Sequence, residues 1–219
     1  LGVAGSPRPE AVAGGSRAGA AVLEDFLHQR SRSYQADISS PVTAWSSSSR
    51  LSPHLAWGTL SMRQVYQHSQ RRVQWLKADG DAGARAWARS VDSFLKRIYW
   101  HCHFIQKLED EPALEYRNLS RACDGLRDER PNEELLGPWR EGRTGYPMVD
   151  ACMRALHAGG WINFRMRAML TSFASYHLWQ HWREPALHLA RLFLDFEPGI
   201  HFSQIQMQSG TTGINAVRI

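Results

Sequence analysis

Apolar positions recur every three to four residues over most of the chain, and no stretch shows the two-residue alternation of a half-buried strand. Ala21, Leu23, Phe26 and Leu27 open an amphipathic helix that runs towards Tyr34. Trp87, Val91, Phe94, Leu95, Ile98, Cys102 and Ile105 fall on one helical stripe, which predicts a long helix over 84–110. Punctuation sets other boundaries. Ser52 is a good N-cap with Pro53 at the first helical position, and Gly58 closes that short helix. Ser61 and Gln64 have the spacing of a capping box. Pro147 and the Gly159-Gly160 pair bracket a further helix, and Asn163 opens another that is predicted from about Phe164 to Trp182, with Pro185 after it. A last helix is predicted over Leu187–Leu194. The segment DISSPVTAWSSSS, the acidic stretch 110–143 and the polar tail from His201 to Gly213 read as irregular. The prediction is an all-α fold with one helical domain over 20–219, C-terminally incomplete, after a Gly/Ala/Ser/Pro-rich linker over 1–19.

Composition narrows the class. At 219 residues, 43% hydrophobic and 21% charged, the chain can bury a sizeable core. No apolar run approaches the roughly 18–20 residues of a membrane helix, so no membrane partner is expected. Three cysteines, an odd number far apart, argue against a disulfide scaffold and for a reducing, cytoplasmic setting. The net charge is +5, only Lys77, Lys96 and Lys107 among the 26 basic residues are not arginine, and there are nine tryptophans. Arginine with tryptophan suits a planar, anionic partner, either a nucleic acid or a nucleotide-like cofactor. A GC-rich genome explains the arginines equally well, but not the tryptophans.

Four constellations carry candidate chemistry. Ser46 to Pro53 (SSSSRLSP) places hydroxyls and free N–H groups at a helix start, which fits an anion such as pyrophosphate or a plain flexible loop. Arg97, Trp100 and His103 share a helix face, where the indole serves either as a base-stacking platform or as core. His101, Cys102 and His103 are adjacent on that helix, about 100° apart, and cannot ligate one ion, so no metal is expected. Arg165 and Arg167 point to nearly opposite sides of their helix, so at most one faces a given pocket, with Asp195 and Glu197 downstream. The tail HFSQIQMQSGTTG lines a site through backbone and amide groups or is a surface loop.

Taken in order, SSSSRLSPHLAWGTLSMRQVY, SFLKRIYWHCHFIQKLEDEP, WREGRTGYPMVDACMRALHAGGWINFRMRAMLTSF and WREPALHLARLFLDFEPGIHFSQIQMQSGTTGINAVRI resemble the FAD-binding domain of the photolyase/cryptochrome family. The resemblance implies a helical bundle around a cavity that holds FAD. On it, Tyr34, Ser48, Ser49, Leu51 and Ser52 match phosphate-contacting positions, with Arg50 inside the same turn. Arg167 and Asp195 match an Arg–Asp pair beside the reactive side of the flavin, and Glu197 an acidic position near the ring and ribityl chain. Trp182 matches the middle tryptophan of an electron-transfer chain, and His201 stands where a small polar group faces flavin N5. Trp100 matches the tryptophan that stacks on a flipped-out pyrimidine dimer, and Arg97, His101, Phe164, Arg165 and Met207 fall on the same DNA-facing positions.

Several of these residues depart from the family pattern. Arg97 replaces a glutamate that bonds the lesion, His101 an arginine, and Phe164 an asparagine. Ile205 and Met207 replace two tryptophans. An imidazole at His201 either switches charge near neutral pH or simply fills space. The resemblance therefore implies an FAD flavoprotein that repairs pyrimidine dimers in damaged DNA by light-driven electron transfer. The alternative is a cryptochrome-type photoreceptor acting on a signalling partner.

Overall fold

The computed structural model describes residue 8 and residues 10–213. Among them there is no strand. The helices are α1 (Ser16–His28), α2 (Tyr34–Asp37), α3 (Ala44–Ser47), α4 (Ser52–Ala56), α5 (Met62–Ala78), α6 (Ala82–Asp110), α7 (Glu133–Glu141), α8 (Pro147–Gly159), α9 (Phe164–Ser172), α10 (Arg183–Leu192) and α11 (Pro198–Ser209). No described helix is long and apolar enough to cross a membrane.

The apolar stripes sort into two cores. One gathers Leu23, Phe26 and Leu27 of α1, Tyr34, Leu51, Val65 and Val73, and the first half of α6. The other gathers Trp139, Met153, Leu156, Leu170, Trp182, Leu189 and Phe202 from α7 to α11, with Leu114. α6 joins them: it runs along α5 at its start and packs against α11 further on. Its predicted stripe holds from Trp87 to Ile98 and then fails, because Cys102 is exposed and Phe104 is buried instead. A straight 29-residue helix drifts relative to a fixed stripe, and the partner changes from α5 to α11 along its length.

Start and stop chemistry behaves largely as the sequence predicts. Ser61 Oγ accepts from Gln64 N–H and the Gln64 side chain accepts from Ser61 N–H, a complete capping box. Gly160 takes the left-handed conformation (φ 67°) that closes α8. Other boundaries differ. α1 starts at Ser16, inside the expected linker, after Gly15 at φ 96°. Leu51, not Ser52, holds the cap position of α4; Ser52 is its first residue, and its hydroxyl accepts from Trp161 Nε1 (3.2 Å). Asn163 caps α9 by position only: its carboxamide donates to the Ile38 and Ser40 carbonyls, 3.0 and 3.1 Å away. DISSPVTAWSSSS contains α3, and the acidic stretch contains α7.

Two corrections are larger. The helix expected to reach Trp182 ends in one π-helical turn, Phe173–His177, and Trp179 adopts φ 55° before α10 begins at Arg183. Pro185 lies in the first turn of α10 rather than before a helix, where its missing N–H costs nothing. The tail from His201 is not a loop down to Ser209 but most of α11. Several of its polar side chains, His201, Ser203, Gln206 and Ser209, are buried. Gln206 is the extreme case: it donates to the Leu114 and Arg117 carbonyls (2.7 and 2.8 Å) and accepts from Leu119 N–H (2.8 Å) and Thr211 (3.1 Å).

α11 and α6 meet at backbone distance. A methyl group on Gly199 would lie 2.6 Å from the Phe104 carbonyl oxygen and 2.9 Å from Ile105 Cα. Gly199→Ala is therefore expected to cost about 1–3 kcal/mol by forcing the helices apart. The measurement is thermal unfolding, at roughly 2–4 °C per kcal/mol for a domain of this size; an unchanged Tm would refute the close approach.

Candidate functional site

The seam between the two cores holds the candidate site. Leu51 belongs to the N-terminal core, whereas Trp45, on α3 just before the serine turn, packs against the C-terminal one. The turn between α3 and α4 is held from outside by Arg30, whose guanidinium donates to the Ser48 and Ser49 carbonyls and pairs with Asp25. The hydroxyls of Ser46, Ser47 and Ser52 are bonded to Thr43, Asp37 and Trp161, which leaves Ser48 and Arg50 as the turn's groups with buried, unpartnered atoms.

Arg50 is the unusual residue. It has φ 56°, uncommon for a residue with a side chain. Its guanidinium lies over the rings of Trp45 (4.7 Å) and Trp161 (4.1 Å). Among the described residues no carboxylate forms an ion pair with it, and its Nε is buried without a hydrogen-bond partner, as is Ser48 Oγ. Burial, then the charge of Arg30, pulls its pKa down, and Asp195 opposes that. A half-buried charge with a buried, unpaired N–H is costly, so this geometry favours an anionic ligand. α4 is only five residues long, and its dipole is a minor contributor beside Arg50.

Across the seam, Arg167 and Asp195 form a bidentate pair, with Nη1–Oδ1 at 3.0 Å and Nη2–Oδ2 at 2.7 Å. Arg167 Nε also donates to the Ile162 carbonyl (2.8 Å), and the guanidinium lies 4.1 Å from the centre of the Phe193 ring. Arg165 is exposed on the opposite side of α9, so only Arg167 faces inward. Arg50 is thus within electrostatic reach of Arg30, Arg167 and Asp195, and among the described residues it alone of the three arginines has no carboxylate partner.

These positions are assembled in a chain with known relatives. Residues 94–219 match the FAD-binding domain of DNA photolyase. The deoxyribodipyrimidine photo-lyase of Alkalihalophilus pseudofirmus is 29% identical over 195 residues, 89% of this chain and 37% of that protein. The chain belongs to the DNA photolyase FAD-binding family. Among solved structures, a class III photolyase from Agrobacterium tumefaciens superposes with TM-score 0.79 at 27% identity, covering 90% of this chain and 38% of that one. A Synechocystis cryptochrome superposes with TM-score 0.81 at 26% identity, covering 96% and 42%. The chain therefore spans about two-fifths of the length of these relatives.

Within this family frame the remaining residues separate. Tyr34 is buried in a cluster of edge-on rings with Phe26 and Phe94, and its hydroxyl reaches Arg97 on α6. Burial raises its pKa, so the phenol stays neutral. Arg97 is otherwise exposed. Trp100 is 53% exposed and stacks on Phe104 at 5.8 Å, so it is a surface platform and not core. Phe164 is also exposed, and Met207 is half-buried on α11, which packs against both α6 and α9. His101 is turned inward: burial lowers its pKa against the pull of Glu197, and its Nδ1 has no partner. The Glu197 carboxylate caps α11 by accepting from Ile200 N–H (2.8 Å).

Of the two readings of His201, its surroundings fit the space-filling one and not the charge switch. It is buried against Phe193, Phe196 and Phe202, and Nε2 donates to the Ala186 carbonyl at 2.9 Å. A carbonyl only accepts, so the ring proton sits on Nε2 and is already used. Burial lowers its pKa to about 4, which keeps it neutral at physiological pH. Trp182 is fully buried and donates to Asn118 Oδ1 (2.8 Å); its ring neighbours are His181 and Phe202. Ile205, where the resemblance expects an aromatic ring, is also buried. Arg30 and Gln206 were missed by sequence reasoning. The first lies far from the turn it clamps, and the second resembles any glutamine in a polar tail.

Proposed function

We propose that the chain is the FAD-holding part of a light-driven DNA repair enzyme that acts on pyrimidine dimers. The observation that carries the cofactor half is the buried pair of unpartnered groups, Ser48 Oγ and Arg50 Nε, in the serine turn of a member of this family. Those groups, with Ser49, Leu51 and Ser52, would take the pyrophosphate. Tyr34, in the N-terminal core, would hold Arg97 in place. Arg167 and Asp195 would set the field along one edge of the ring system, and Glu197 would shape the cavity by fixing the start of α11. When bound, FAD supplies a light-excited reduced flavin able to give one electron to a dimer.

The chain's own groups serve the DNA. Trp100 and Phe164 offer exposed aromatic surface for an unstacked base, and Arg97 and Arg165 offer charge to phosphates. Met207 would add half-buried apolar surface from α11. His101, turned inward on the same helix and near Glu197, would act by positioning. Trp182 would relay electrons from the protein interior.

The test is illumination of a thymine-dimer oligonucleotide with the protein and FAD under reducing conditions. Restored thymine, absent in the dark, is expected. Trp100→Ala should weaken binding of the damaged strand by roughly 5- to 150-fold, the equivalent of about 1–3 kcal/mol of stacking. Trp182→Phe should slow photoreduction of bound FAD at least tenfold, because phenylalanine is much harder to oxidise than indole.

A second reading, a cryptochrome-type photoreceptor with a signalling partner, is favoured by Arg97 in place of a carboxylate and by Ile205 in place of a ring. No repair with intact FAD photoreduction would select it. Failure to bind FAD would remove both.

A further inference from the structure

A cleft of about 870 Å³ opens between α1, α5 and the start of α6. None of its lining residues belongs to the serine turn or the Arg167–Asp195 pair. The short turn after α1 serves both places: Arg30 reaches the serine turn, and Arg32 faces the cleft.

The cleft is built around Trp87. Its Nε1 donates to Ser31 Oγ (2.8 Å), and Ser31 in turn donates to the Leu27 carbonyl (3.3 Å). The same carbonyl accepts from Arg72 Nε (3.1 Å). This network fixes the Arg72 guanidinium 4.3 Å from the centre of the Trp87 ring and 4.5 Å from that of Trp75. Arg32 lies 4.7 Å from the Trp87 ring centre as well. Arg72 is 9% exposed, so its charge is held largely out of water beside a second guanidinium.

Arg71 adds a third guanidinium. Among the described residues no carboxylate forms an ion pair with Arg32, Arg71 or Arg72. The cleft's one carboxylate, Glu24, faces His28 (3.2 Å) and His68 (3.7 Å) rather than an arginine. Burial and the nearby Arg32 both disfavour the charge on Arg72, and Asp79 only partly opposes them. Ordered guanidiniums over indoles, left with free N–H edges, suit a flat ring on one side and a phosphate on the other. The volume fits a small molecule rather than a strand.

We propose that this cleft is a second ligand site, for a planar anion of mononucleotide size that carries a phosphate. The phosphate would bridge Arg71 and the Nη edges of Arg32 and Arg72, and the ring would lie on the exposed face of Trp75.

The experiment is calorimetric titration of the protein, already saturated with FAD, with AMP, adenosine, inorganic phosphate and a 5′-phosphorylated oligothymidylate. AMP should bind at one site, with adenosine and inorganic phosphate each at least tenfold weaker. Arg71→Glu, on an exposed position, and Arg32→Ala should each weaken AMP at least tenfold while leaving the thermal melt unchanged. Four results would overturn the proposal: no heat at millimolar AMP, equal affinity for AMP and adenosine or for AMP and phosphate, indifference to Arg71→Glu, or an oligonucleotide that displaces AMP and is itself weakened by Arg71→Glu.

Discussion

Asp195→Ala should destabilise the protein by about 3–5 kcal/mol, because it strips a partly buried guanidinium of its carboxylate partner. The Asp195 side chain is 3% exposed and that of Arg167 is 26% exposed, so water cannot fully replace the lost partner. Arg167 would keep only the Ile162 carbonyl and the Phe193 ring. Arg50 would also lose the one charge that favours its protonated form there. Since small domains have only about 5–15 kcal/mol in total, the loss should be plain in the urea midpoint. Asp195→Asn keeps shape and one acceptor, and should cost less. FAD affinity should fall at least tenfold in both, and added inorganic phosphate should partly restore the midpoint of Asp195→Ala by filling the cationic cluster. A urea midpoint equal to wild type would show that the pair contributes nothing.

Lowering the pH from about 6.5 to about 4 should remove on the order of 3 kcal/mol of stability through His201 alone. The folded-state pKa is lowered, to about 4, by burial among phenylalanine rings. The unfolded chain therefore takes up a proton near pH 6.5 while the folded chain does not. The stabilisation is fully present above the unfolded value and declines as pH falls through this window. His188, lowered to about 4 by burial and by its neighbours His157, Arg140 and Arg191, acts in the same direction. His201→Gln keeps a donor for the Ala186 carbonyl but does not titrate, so its stability should vary less with pH. Parallel profiles for the two proteins would place the acid sensitivity elsewhere. The same burial means that activity should not change near neutrality on account of His201.

The helical class was legible because it rests on local chemistry. Apolar stripes, the Ser61–Gln64 box, Pro147 and Gly160 act within a turn or two of their own position, and the structure uses them accordingly. The break at Trp179 carries no glycine or proline to announce it, since Gln180 holds it by bonding to Asn132 N–H, 48 residues away. α11 looked like a loop because a helix inside a core can bury amides that are satisfied from other segments, and Gln206 takes all its partners from outside its own face.

The sequence by itself determined that the chain is helical, rich in arginine and indole, and marked with the serine turn and the Arg167–Asp195 positions of a flavin-binding family. Only the tertiary structure decided which charges are compensated. It paired Arg167, left Arg50 without a carboxylate, turned His201 into neutral core and gathered Arg32, Arg71 and Arg72 around Trp87. Charge and hydrogen-bond balance depend on partners far apart along the chain, and folding alone brings them within reach.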